Sequence, residues 1–234
     1  MTQAQLHTAL AVASEPAYAD FSTGLLGGVQ KPLLGVRLPT LRKLAAQIVR
    51  ENGEHALDIC TRGQYFEDVM LKGMVLGRLH APFSMVMSKT ASFLDEIDNW
   101  SVCDSFCAGY THVKKHPAEV FSFACSILSD KREFAARCGV VLLMDHFRGT
   151  SYGTQALKAI AGVDAAGRYY VQMALAWALA TFYLDSPDEV FRILRTHPDQ
   201  TVCRMAVRKL CESHRVSDTA KTQAKQLWKE RSGT

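Results

Sequence analysis

Apolar residues along this chain recur at intervals of three and four, and almost nowhere at intervals of two. Leu41, Leu44, Ala45, Ile48 and Val49 set the rhythm, with Pro39 in the first turn of the helix and Asn52-Gly53 at its end. The same pattern predicts helices over 66–79, 83–97, from Trp100 onward, and over 118–128, 132–147, 155–160, 169–184, 188–195, 201–212 and 217–230. An opening helix over 2–13 gives way to a loop marked by Gly24, Gly27, Gly28 and Pro32. Val140-Val141-Leu142-Leu143 has the composition of a strand but lies inside a longer helical pattern.

Helices of this length in antiparallel pairs, without strands, make either a bundle or a solenoid of repeats. Spacing favours the solenoid. Trp100, Arg137 and Trp177 follow one another at steps of 37 and 40 residues, close to the roughly 40–47-residue period of HEAT and armadillo repeats. The expectation is an all-α superhelical solenoid of antiparallel helix pairs, HEAT/armadillo-like, forming a single domain over 1–234. Equivalent helices of such a solenoid line one concave surface.

Composition narrows the classes without choosing among them. Of 234 residues, 48% are hydrophobic and 21% charged, ordinary for a globular chain. No apolar run approaches the roughly 20 residues that span a bilayer, and Met1 to Ala19 lacks the basic and apolar regions of a signal peptide. The expected setting is cytoplasmic, with no membrane. Seven scattered cysteines fit reduced, buried thiols. Cys103 and Cys107 stand four apart, but no second pair completes a zinc pattern; neither metal nor cofactor is expected. A thiol-enzyme reading lacks a nearby activating histidine in sequence. The net charge of +4 admits nucleic acid without demanding it.

The residues that carry chemistry cluster around Ile97-Asp98-Asn99-Trp100-Ser101-Val102-Cys103-Asp104. Trp100 and Asp104 are one helical turn apart and share a face, although Asn99 as N-cap, Trp100 as packing and Asp104 as a solvated charge would explain the same residues. Arg137 interrupts the apolar stretch Phe134-Ala135-Ala136-Arg137-Cys138-Gly139. Trp177 follows Tyr169-Tyr170-Val171-Gln172 and is flanked by small residues.

Taken together, Leu34-Gly35-Val36-Arg37-Leu38-Pro39, Trp100 with Asp104, Arg137 after an aromatic and two spacers, and Tyr-Tyr-Val-Gln ahead of Trp177 resemble the AlkD-like DNA alkylation repair glycosylases. That family is built from HEAT-like repeats. The chain departs from that pattern at Asn99 and Ser101, where the family often has Trp and Asp, and at Gly27-Gly28-Val29-Gln30-Lys31-Pro32, where it usually has aromatic and basic residues.

The resemblance implies a concave, electropositive groove for double-stranded DNA with alkylated bases, acting as a monomer. It implies excision of cationic alkylpurines such as 3-methyladenine and 7-methylguanine. Trp100 and Trp177 match the aromatic walls, Asp104 the catalytic carboxylate and Arg137 a phosphate contact. Arg204 falls on a basic DNA-facing position of the family. Lys114, Lys115, Arg132, Arg168 and Arg208 are further candidates for phosphate, or a solvated surface. The residue types suit the reaction. A cationic purine leaves readily, charge moves onto the sugar as in glycoside hydrolysis, and a carboxylate there stabilises it and orients water. Indole faces add about 0.5–2 kcal/mol each. The alternative is a non-catalytic HEAT-repeat protein that binds DNA structures or a protein partner through the same surface.

Overall fold

The computed structural model describes residues 1–26, 29–60 and 63–233, and all regular structure among them is helical. The chain divides into two compact units, Met1–Pro117 and the remainder from Ala118. The loop expected at Gly27 and Gly28 falls outside the described residues.

The first unit contains α1 (Gln3–Val12), α2 (Pro16–Leu26), α3 (Leu38–Asn52), α4 (Phe66–Leu76), α5 (Phe83–Phe93) and α6 (Trp100–Ala108). Three short 3₁₀ segments, at Gly53–Cys60, Leu94–Glu96 and Thr111–Lys114, join or follow them. Helix α3 buries Leu41, Leu44, Ala45, Ile48 and Val49, the stripe its periodicity marks, and packs against α4. Helix α4 is buried along nearly its whole length and also packs on α6 and α5. Helix α2 runs through Gly24, where the pattern suggested a loop. The reason is visible in its packing: only Leu26 is buried, while Phe21 and Leu25 are 62% and 60% exposed. No apolar stripe faces a core, so no helical period shows in its sequence.

Two buried carboxylates organise the start of α4. Asp68 accepts the backbone N–H groups of Gln64 and Tyr65 at 2.9 and 3.0 Å. Glu67, 1% exposed, accepts those of Leu34, Gly35 and Val36 at 2.9, 2.8 and 3.1 Å. Buried backbone donors need such partners. Gly35 itself has φ +78°, a conformation that side chains disfavour. The Leu-Gly-Val stretch is therefore a turn clamped by α4.

The second unit contains α7 (Pro117–Ser126, its first residue closing the first unit), α8 (Glu133–Phe147), α9 (Gly153–Ala161), α10 (Tyr169–Phe182), α11 (Pro187–Thr196), α12 (Gln200–Glu212) and α13 (Asp218–Ser232). Helix α8 packs on α10 and α10 on α12, while α9 and α11 each pack on α10 and α11 packs on α13. Alternate helices thus form a layer flanked by the helices between them, the arrangement that paired repeats produce. Val140 to Leu143 are fully buried within α8, which explains an apolar run without period. A β-carbon on Gly139 would lie 2.7 Å from the Ala124 carbonyl oxygen, so α7 and α8 meet there backbone to backbone.

Candidate functional site

In the first unit, Asn99 fixes the start of α6. Its side chain accepts the Val102 N–H at 3.0 Å and donates to Asp98 Oδ1 at 2.6 Å. Such a cap contributes about 1 kcal/mol and makes Trp100 the first helical residue. Asn99 is 1% exposed, so this position serves the helix. Val102, Cys103, Phe106 and Cys107 take the core side of α6. Trp100 and Asp104 are half-buried on the remaining face. This leaves an indole and a carboxylate, one turn apart, within reach of a ligand.

Beyond α6, the 3₁₀ turn Thr111–Lys114 is tied to the end of α4. Thr111 donates its N–H and hydroxyl to the Gly77 carbonyl at 2.9 and 3.0 Å, and His112 Nε2 lies 3.1 Å from the Leu76 carbonyl. Burial holds the His112 pKa below its ordinary value. Lys114 and Lys115 are exposed on this anchored turn.

In the second unit, Arg137 lies on α8 at 6% exposure. Its Nη1 donates to the Tyr170 carbonyl at 2.8 Å, and Glu133, one turn earlier, accepts the Tyr170 N–H at 2.7 Å. The pair grips both sides of one residue at the start of α10. Gln172 donates to Asp199 Oδ2 at 2.8 Å, and Asp199 caps α12 through Thr201 and Val202. The Tyr-Tyr-Val-Gln stretch thus sets α10 against its neighbours. Trp177, two turns further along, is half-buried between Ala174, Ala176 and Ala178, all fully buried. Small neighbours let the helices approach while the ring stays partly accessible.

The remaining cations separate into two groups. Arg168 donates to the carbonyls of Asp130, at 2.9 Å, and Asp164. Arg132 bonds Asp130 through Nε at 3.0 Å and Nη2 at 2.6 Å, and this pairing, more than any other contact, draws the Asp130 carboxyl below its usual range. Arg208 pairs with Glu212 at 2.7 Å on the exposed side of α12. Arg204, Lys114 and Lys115 have no ion-pair partner among the described residues, and all three are exposed. Sequence reasoning passed over Lys131 and Lys158, both exposed in the second unit, because neither falls in a motif.

The seven cysteines are free thiols; Cys60, Cys103, Cys107, Cys138 and Cys203 are buried, and Cys125 and Cys211 partly so. Burial pushes the Cys60 pKa up to about 12, which removes it as a nucleophile at neutral pH.

No helix among the described residues is long and apolar enough to cross a membrane. No curated protein and no solved structure matches the chain. A family model described as DNA alkylation repair enzyme matches residues 6–213.

Proposed function

From the chain's membership of the DNA alkylation repair enzyme family, we propose that it is a glycosylase that excises cationic alkylated purines, such as 3-methyladenine and 7-methylguanine, from duplex DNA. The observation that carries this reading is the half-buried Trp100–Asp104 pair on the ligand-accessible face of α6, in a chain of that family. The match, over residues 6–213, takes in most of both compact units, which supports treating 1–234 as one functional domain.

The substrate base already bears a positive charge and needs little protonation to leave. Asp104 faces the sugar as the glycosidic bond breaks and charge develops there. Its carboxylate stabilises that charge and orients a water for attack at C1′. The bond from C1′ to the purine nitrogen breaks, the water oxygen bonds C1′, and its proton is released. Trp100 and Trp177 each offer an indole face to the DNA. Arg204, Lys114 and Lys115 supply sequence-independent affinity for phosphate. Arg137, buried on α8, serves this reading by setting the start of α10 through the Tyr170 carbonyl.

The test is release of 7-methylguanine or 3-methyladenine from an alkylated duplex by the wild type and Asp104→Asn. Wild-type release that falls by about a hundredfold or more in the variant is expected, the magnitude typical of losing an electrostatic stabiliser. Salt-sensitive DNA binding without any release would instead establish a non-catalytic DNA-binding member.

A further inference from the structure

Between the turn that joins α7 to α8, helix α9 and the turn that joins α9 to α10, the second unit holds an open recess of about 880 Å³. Leu128, Ala159 and Val163 give it an apolar floor. Arg168 rivets its two sides: the guanidinium donates to the carbonyls of Asp130 on one turn and Asp164 on the other. The walls are thus fixed before any ligand arrives.

The charge on this lining is unevenly committed. Asp130 is held by Arg132, which donates to it through backbone and side chain. Asp164 Oδ1 accepts the Ala166 N–H at 3.1 Å. Lys131 and Lys158 line the recess from different elements, both exposed, and no hydrogen bond or ion pair engages either ammonium among the described residues. Arg132 and Arg168 are also the N-cap residues of α8 and α10, so the positive ends of two helices start at its margin. The result is a preformed hollow with an apolar floor, whose lining sets Lys131, Lys158 and Arg168 against Asp130 and Asp164 and leaves the two lysine ammonium groups available.

We propose that this recess is a phosphate-binding site in which Lys131 and Lys158 hold the backbone of nucleic acid, with the apolar floor beneath the sugar. The proposal rests on the DNA reading above and adds two contacts to it. Two flexible ammonium groups on separate elements suit the divergent oxygens of a phosphodiester. An open recess admits a segment of polymer lying across it.

The experiment compares wild type, Lys131→Ala/Lys158→Ala and a control, Lys225→Ala/Lys229→Ala, that removes the same charge from exposed positions on α13. Binding to an undamaged duplex is measured by fluorescence anisotropy across a salt series, with circular dichroism melting as the folding check. The recess variant is expected to melt like wild type and to show a log–log salt slope shallower by about two, one for each phosphate contact, while the control changes little. An unchanged slope, or an equal change in the control, overturns the site and leaves the DNA reading intact. Titration of inorganic phosphate and adenosine monophosphate identifies the source. Binding of either that the recess variant loses, in a protein without salt-sensitive duplex affinity, keeps the phosphate site and overturns both the nucleic-acid assignment and the DNA reading.

Discussion

A single carboxylate, Glu67, satisfies three successive backbone donors beneath Gly35. A β-carbon at Gly35 would collide with the Glu15 carbonyl oxygen and come within 2.7 Å of the Ala19 nitrogen. Gly35→Ala is therefore expected to lose roughly 2 kcal/mol or more, combining backbone strain with the clash. Glu67→Ala, which strands two buried N–H groups and a part-buried one, should lose about 3 kcal/mol or more, with Glu67→Gln milder because one acceptor oxygen remains. Urea unfolding measures all three; a loss below 1 kcal/mol for Glu67→Ala would show that water replaces the carboxylate. The sequence made this stretch look like a signature. What it could not reveal was the partner, because Glu67 lies more than thirty positions away and reads as an ordinary first-turn acid.

Among elements, the junction of α11 with α12 concentrates titratable groups. Burial lowers the His197 pKa, and its Nδ1 accepts the Asp199 N–H, which only the unprotonated ring can do. Burial by itself raises Asp199, but hydrogen bonds from Gln172, Val202 and Thr201 outweigh it and leave the carboxyl lowered. Both folded pKa values lie below their unfolded ones, so both contributions are complete above the unfolded pKa and fade as pH falls toward the folded one. Stability should therefore decline in two windows, beginning below about 6.5 for His197 and below about 3.9 for Asp199. Denaturation midpoints across pH for wild type and His197→Gln check this: the variant's upper window shrinks to the part that His112, also lowered by burial, contributes, and the lower window is kept. The helices at this junction were legible because α11 and α12 carry regular apolar stripes. Helix α2 was not, since its apolar residues face outward.

Over the whole molecule, thiol accessibility follows the core. Five of the seven cysteines are buried and two are partly exposed, so an aromatic disulfide reagent at neutral pH should titrate Cys125 and Cys211 first and the others only on unfolding. Rapid reaction of more than two thiols in the native protein would contradict the packing described. The all-helical class and nearly every helix were readable from period alone, because a core-facing stripe leaves its mark locally. The candidate site was readable only as residue types. Arg137 read as a phosphate contact and Arg168 as a phosphate contact or a solvated cation; their donors also reach carbonyls 33 and 38 residues distant, and separations of that kind leave no periodic trace. Lys131 and Lys158 had the opposite fate, ordinary in sequence and placed together by a turn.

The clamp on Gly35 also bears on how a loss of activity is to be interpreted. One acid under one glycine marks the scaffold, whereas a tryptophan and an aspartate on another helix are the candidates for the reaction. A substitution at one need not disturb the other, so folding and turnover can be broken separately in this chain.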